Sequence, residues 1–111
     1  MITRYALFEG TIKEGQTEAF REAILTEVLP KWRAFPDALA VRICFEESRD
    51  DGAPSFPLIL AISYPSLEAV DIALASAVRA ESKEATESVL ARYFDGRIHH
   101  HITTAHDTVI A

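Results

Sequence analysis

Three consecutive histidines, His99 to His101, are the residues of this chain best suited to chemistry. Imidazole is the side chain that binds metals and moves protons near neutral pH. Side chains alternate along a strand, so His99 and His101 share one face while His100 lies on the other. We predict that His100 faces the helices and is a catalytic base, with His99 and His101 in substrate binding.

A metal site is the alternative interpretation of His99 and His101. Two histidines at this spacing can supply two ligands, and a third would come from Glu9, Glu46 or His106. Paired strands usually satisfy such side chains by hydrogen bonds. We therefore expect no metal ligands here and no cofactor.

Aromatic residues with polar tips provide candidate walls for a ligand cavity. Tyr5, Trp32 and Tyr64 are of this kind and suit a flat organic ligand, although such residues also serve as ordinary core. Tyr64 ends a predicted strand directly before a helix, where a side chain reaches the mouth of a cavity. We predict Tyr64 as a catalytic residue that orients the substrate, and Tyr5 and Trp32 as substrate-binding residues.

Arg42 and Cys44 lie on a predicted strand whose other face is uniformly apolar. The residues of that apolar face belong under the helices, and they are Leu39, Val41, Ile43 and Phe45. Arg42 would pair with a carboxylate across an interface or bind an anionic substrate, because guanidinium grips carboxylates in two places. Cys44 is expected to be a small hydrophobe, since nothing on the strand would lower its pKa.

Hydrophobic periodicity predicts four strands and two helical segments. Residues 2–9, 38–45, 58–63 and 97–103 form the strands, and residues 17–35 and 66–94 form the helical segments. Pro30 predicts a kink, because it lacks a backbone donor. Ser66 and Ser76 are helix caps, with a break near residues 75–77. Asp95-Gly96 predicts a left-handed turn that ends the second helical segment.

The second and third strands are apolar on both faces, which limits how the sheet can be covered. A sheet with one face in water would alternate apolar and polar residues. The helices cover one face, and in so short a chain a second copy most easily covers the other. The sequence therefore predicts an α+β, ferredoxin-like βαββαβ fold with a four-stranded antiparallel sheet, and a homodimer that forms through the sheet face.

Composition bounds the remaining possibilities. The 111 residues suffice for one core, so we expect a single domain over residues 1–111. The net charge of -6 and the scattered basic residues argue against nucleic acid and anionic membranes. No apolar run approaches the roughly 20 residues that span a bilayer, and no signal peptide is legible. The single cysteine favours the cytoplasm.

Three stretches carry a resemblance that spans nearly the whole chain: AFREAILTEVLPKWRAFPDALAVRI, AISYPSLEAVDIALAS and YFDGRIHHHI. They resemble the dimeric α+β barrel superfamily and, within it, the EthD-like families. The resemblance implies two four-stranded sheets that close a barrel with helices outside, and it places His99 and His101 inside that barrel. Members include cofactor-free monooxygenases, lactone isomerases, haem-dependent enzymes and many proteins of unknown activity. The His-Pro-x-His stretch of the stress-responsive branch is missing here.

Together these features predict a small homodimer that binds a compact, partly aromatic or carbonyl-bearing metabolite. If it is an enzyme, proton transfer or cofactor-free oxygenation is the expected reaction, of the monooxygenase or isomerase type. The alternative is a non-catalytic binding or accessory protein of an oxidative catabolic pathway. The absence of any legible carboxylate pair, catalytic triad or metal set supports that alternative.

Overall fold

The chain runs strand, helix, strand, strand, helix, strand, as a computed structural model of all 111 residues shows. The elements are β1 (Ile2–Ile12), α1 (Thr17–Ala23), a π-helical turn (Ile24–Val28), α2 (Leu29–Trp32), β2 (Ala40–Phe45), β3 (Leu58–Tyr64), α3 (Leu67–Leu74), α4 (Ala77–Tyr93) and β4 (Phe94–Thr104).

The four strands form one antiparallel sheet in the order β2-β3-β1-β4. β1 pairs with both β3 and β4, so the first strand lies at the centre of the sheet and the last lies at an edge. This topology confirms the predicted α+β, ferredoxin-like βαββαβ fold. None of the helices combines the length and the hydrophobicity that crossing a bilayer requires.

All helices pack on one face of the sheet, which we call the helix face. Phe8, Leu58 and Tyr64 lie on it and are almost wholly buried, together with Phe20 and Val89 from the helices. Phe8 contacts the ring of Phe94 edge-on, and Phe94 in turn stacks on Phe20. This aromatic cluster joins α1 to the centre of the sheet.

The predicted kink before Pro30 takes the form of the π-helical turn. Buried residues recur every four positions through it, at Phe20, Ile24, Val28 and Trp32. In an α-helix a four-residue step overshoots one turn by about 40°, so such a stripe would drift away from the core. The wider π turn offsets that drift and brings Trp32 back over the sheet.

Of the two helix caps predicted in the second helical segment, only Ser66 makes a capping hydrogen bond. Ser66 precedes α3, and its Oγ accepts a hydrogen bond from the Ala69 N–H at 3.1 Å. The chain breaks at Ala75-Ser76 as expected, but Ser76 makes no capping bond to α4. Its hydroxyl instead donates to the Ala73 carbonyl at 2.6 Å and so closes the end of α3.

The left-handed turn predicted at Asp95-Gly96 is wrong. β4 starts at Phe94, directly after α4, and Gly96 pairs with Gly10 inside the sheet. A Cβ on Gly96 would collide with the Glu9 carbonyl, and one on Gly10 would collide with the Asp95 carbonyl. These two glycines therefore allow the backbones of β1 and β4 to approach closely. The pairing continues past them, so both strands are longer than predicted.

The second face of the sheet carries no helix in the single chain, and we call it the open face. It presents the odd-numbered residues of β1 and β3 and the even-numbered residues of β2, as the pairing registers require. Ala40, Arg42 and Cys44 are exposed there, whereas Ala61 is already buried by its neighbours. The strand faces thus agree with the sequence-based assignment, except that Leu39 lies before β2 and is exposed instead of packing under the helices.

Candidate functional site

A cavity of about 270 Å³ lies between the helix face and the helices. Its floor comes from β1, β3 and β4, and its roof comes chiefly from α4. Trp32 and Phe35 close one side, and Leu74 of α3 contributes at another. The cavity is thus partly enclosed, between the sheet on one side and α2, α3 and α4 on the other.

Small residues in floor and roof create the empty space. Ala6 lies at the centre of the floor, between Leu60 on β3 and His100 on β4. Above it, Ser82 and Thr86 line the roof and are buried. Their hydroxyls donate to carbonyls of their own helix, at 3.0 Å to Arg79 and 2.7 Å to Ser82, so neither needs a further partner.

Three basic side chains line the same cavity. Arg4 comes from the floor, and Arg79 and Lys83 come from α4. No carboxylate lies within 4.0 Å of any of the three. Glu87 is the one acid among the lining residues. The cavity of an acidic protein is therefore positively charged.

His100 lies on the cavity wall and keeps an exposed surface, so it marks the mouth. The protein packed around the ring removes part of its hydration, and Arg4, Arg79 and His99 add positive charge nearby. These effects, desolvation first, lower the pKa of His100 from 6.5 to about 4. The imidazole is consequently neutral at physiological pH and, in the empty cavity, a weaker base than an ordinary histidine.

Arg4 connects the cavity to Tyr64. Burial and the charge of Arg79 lower the pKa of Arg4, while Tyr64 opposes that shift. Burial raises the pKa of the Tyr64 phenol, and Arg4 partly offsets the increase. Tyr64 is almost fully buried on the helix face and is not among the lining residues of the cavity. It lies beside Arg4, one step removed from the space that a ligand would fill.

The remaining predicted site residues lie on the open face. Arg42, Ala61, Tyr5 and His101 form one row across all four strands. Cys44, Ile59, Leu7 and His99 form the adjacent row. The sheet therefore separates the predicted site into two groups, with Trp32 and His100 at the cavity and Tyr5, Arg42, His99 and His101 behind it.

Glu9 organises the polar end of the open face. Its carboxylate lies 2.7 Å from His99 Nε2 and 3.4 Å from Arg97 Nε. The hydrogen bond with His99, followed by the contacts with Arg97, lowers the pKa of Glu9 despite some opposing desolvation. Nowhere do three His, Cys, Asp or Glu side chains converge as metal ligands would. His99 is thus partnered by hydrogen bonding within the sheet.

Sequence reasoning missed the three basic residues of the cavity. Arg4 carried a usable signal, because it shares strand parity with Ala6 and Phe8 and so had to lie on the helix face. Arg79 and Lys83 are four residues apart on one helix face, beside the stripe that contains Ser82. Their approach to β4 depends on how α4 packs, which periodicity alone does not specify.

Solved structures share this arrangement over nearly the entire chain. An EthD-family protein from Bacillus halodurans matches with a TM-score of 0.75 at 14% identity, over 96% of this chain and 100% of its own. SnoaB, a cofactor-independent oxygenase from Streptomyces nogalater, matches with a TM-score of 0.64 at 15% identity, over 97% and 95%. A protein from Arabidopsis thaliana matches with a TM-score of 0.68 at 15% identity, over 99% and 100%.

The fold is that of the EthD and antibiotic-biosynthesis monooxygenase proteins. The latter description belongs to several further structures of similar size. No protein-family model and no curated protein sequence matches this chain. At sequence identities this low, the structural matches show that the fold is shared, and they confirm the resemblance for the fold alone. They do not specify the chemistry, because one fold supports many functions.

Proposed function

We propose that this protein binds a compact organic metabolite in the cavity and that His100 accepts a proton from it. The single observation that carries the proposal is a neutral imidazole at the mouth of a partly enclosed cavity with aromatic and basic walls. Trp32 and Phe35 supply flat walls for a ring or a conjugated chain. The cavity lies slightly below the range of about 300–1,000 Å³ typical of drug-sized ligands, which favours a smaller molecule.

Proton transfer to His100 would leave a carbanion or phenolate on the ligand. In an isomerisation, the proton returns to a different carbon of the same molecule. In a cofactor-free oxygenation, the ligand's electron pair forms a C–O bond with O₂, and the resulting peroxide takes the proton back from His100. SnoaB, which shares the fold, is a cofactor-independent oxygenase, and that supports the second route. Tyr64 would act indirectly, by positioning Arg4.

We further propose a homodimer in which a second copy covers the open face. Leu7, Ile59 and Tyr5 are only half-buried there in the single chain, and no helix protects them. In this assembly Tyr5, Arg42, His99 and His101 would line the space between the two sheets, where a second part of a ligand would contact them. A cytoplasmic location is part of the same proposal and rests on the lone, unpaired Cys44.

Separate His100→Phe and Tyr64→Phe variants test the catalytic proposal. We expect His100→Phe to lower turnover by about 10²-fold or more while binding changes little, because a general base acts on the chemical step. Tyr64→Phe should mainly weaken binding. His106→Phe, in the exposed C-terminal tail, is the matched control. Binding is followed by the NMR signal of the Trp32 indole, and turnover by oxygen uptake over a panel of small phenols. Full activity in both His100→Phe and Tyr64→Phe would refute the assignment.

An accessory binding protein is the second candidate function. The cavity favours this function because it contains few catalytic groups. Glu87 is the only carboxylate in its lining, and no nucleophilic side chain there is hydrogen-bonded to a base. Under this hypothesis a ligand binds without turnover, and His100→Phe changes affinity alone. The absorption spectrum and metal content of the purified protein add a separate check, since a haem or flavin spectrum would point to redox chemistry instead.

A further inference from the structure

The charges around the cavity narrow the class of ligand, and this inference rests on the proposed function. We propose that Arg4 and Arg79, with Lys83 at the rim, bind a carboxylate of the ligand next to His100. The ligand is thus a small apolar acid whose ring or chain lies against Trp32 while its carboxylate meets the basic cluster. A neutral metabolite of the same shape would bind more weakly.

The first support is that three basic residues without ion pairs line a single cavity. The chain holds 17 acidic residues against 11 basic ones. Outside the cavity Arg33 and Arg42 have no carboxylate within 4.0 Å, whereas Arg21, Arg49, Arg92 and Arg97 each have one. Arg4, Arg79 and Lys83 have none either, although acidic residues outnumber basic ones in the protein. Basic residues left unpaired around one cavity are what an anion-binding site requires.

The second support is the placement of the two guanidinium groups. Arg4 projects from the central strand, and Arg79 approaches from the first turn of α4. The positive charge of Arg79 lowers the pKa of Arg4, so the two cations repel each other across the cavity. An anion between them would relieve this repulsion and accept charge-assisted hydrogen bonds from both.

The rest of the cavity fits the apolar part of such an acid. Phe35, Leu74, Ile62 and Ile98 supply apolar surface to the same space. The hydroxyls of Ser82 and Thr86 are already bonded to their own helix and offer the ligand no donor. Polar recognition is therefore left to the basic cluster and His100.

A carboxylate at this position would also change His100. The groups facing the imidazole are Arg4 from β1 and Arg79, Lys83 and Glu87 from α4. Tyr64 from β3 lies behind Arg4, and His99 acts on the imidazole from the opposite face of the sheet. In the empty cavity the positive charges oppose protonation of His100. A bound carboxylate counters them, so binding should raise the pKa of His100 and make it a stronger base only when the acid is present.

Benzoate and benzamide are suitable probes because they differ mainly in charge. Each is titrated into the full-length protein while the Trp32 indole signal is recorded by NMR. We expect benzoate to bind about tenfold or more tightly than benzamide, as loss of a charged hydrogen bond implies. Arg4→Met and Arg79→Gln should remove that preference. Because Arg4 is partly buried and its variant could fail to fold, the exposed Arg79 provides the second test.

Matched controls separate local from general electrostatics. Arg33→Gln removes one exposed positive charge outside the cavity and should leave the preference unchanged. Glu87→Gln should strengthen benzoate binding, whereas Glu84→Gln, on the same helix but outside the cavity, should not. The His100 imidazole signals, followed against pH, should show a higher pKa with benzoate than without it.

The possible results distinguish this inference from the proposed function. Equal binding of benzoate and benzamide would overturn the carboxylate subsite and leave the ligand cavity intact. A preference that persists in Arg79→Gln and is lost in Arg33→Gln would also overturn it. If neither probe shifts the Trp32 signal, both proposals fail, since a cavity that excludes a single ring cannot hold a metabolite of the proposed class.

Discussion

His100 differs from its two histidine neighbours because of the face on which it lies. His99 shares a hydrogen bond with Glu9 and His101 lies in a row with Tyr5, both on the open face. His100 alone reaches the cavity, where desolvation and basic neighbours keep it neutral. Three successive histidines therefore lie in two environments, the open face of the sheet and the cavity.

The lowered pKa of His100 predicts how stability depends on pH. Between about pH 6.5 and 4 the unfolded chain binds a proton at this position and the folded protein does not. Unfolding therefore takes up a proton, and the free energy of unfolding should decrease as the pH falls through that window. Above pH 6.5 the effect vanishes.

Urea unfolding of the protein and of His100→Gln at pH 7 and pH 5 measures this effect. We expect the variant to lose less stability between the two pH values, while the control His106→Gln behaves like the original protein. A parallel decrease in all three proteins would contradict the prediction. Glu9 contributes separately and at lower pH, because its lowered pKa makes stability fall only below its ordinary value of 4.5.

At this scale the sequence predicted the orientations of His99, His100 and Arg42 correctly, because strand alternation is enough to assign them. It did not predict which residues meet across the cavity. Tyr5 was grouped with Trp32 as an aromatic wall, yet the sheet lies between them. Arg4 was overlooked, although its parity placed it beside Ala6 under the helices.

Among the elements, α3 and α4 show how local chemistry sets helix ends. Ser66 makes the side-chain bond expected of a cap, while Ser76 at the start of α4 makes none. Both serines were predicted as caps from residue type and position. Only the backbone geometry around each one distinguishes them, since the Ser76 hydroxyl turns back to the preceding helix.

Ser66→Ala should therefore destabilise the protein by about 1 kcal/mol, the usual cost of losing a capping side chain. Ser76→Ala should cost less, because it removes a single bond at the end of α3 and no cap of α4. Urea denaturation of both variants against the original protein measures the difference. A larger effect for Ser76→Ala would show that the α3–α4 junction matters more than the start of α3.

Element order and the kink at Pro30 were predictable from periodicity and from the properties of proline. The start of β4 was not, because Asp95-Gly96 is a common helix-ending signal and only the pairing with β1 overrides it. Close approach of two backbones at Gly10 and Gly96 is a tertiary property. Sequence periodicity contains no information about it.

At the scale of the whole molecule, the open face is the feature that the single chain leaves unexplained. Its central residue, Ala61, is buried by neighbours on the same sheet, and Ala40 at the edge is exposed. A charge at Ala61 would therefore disturb the sheet itself as well as any interface. Ala40 is the cleaner position at which to test assembly.

Ala40→Glu should convert the proposed homodimer to monomers, because a carboxylate between two packed sheets would be desolvated without a partner. Sedimentation equilibrium gives the molecular mass, and circular dichroism verifies that the fold is kept. Ala80→Glu on the exposed surface of α4 is the control and should remain dimeric. A folded, fully dimeric Ala40→Glu would show that assembly uses another surface.

The direct passage from α4 into β4 has a practical consequence. Apart from Arg4, the charged and polar groups at the cavity lie within residues 79–100, a single uninterrupted stretch of chain. The roof of the cavity, from α4, and the part of its lining that carries His100, from β4, therefore belong to one continuous segment. Exchanging residues 79–100 together with the residue at position 4 between proteins of the same fold should therefore transfer ligand preference, so recognition here is modular even though the domain is not.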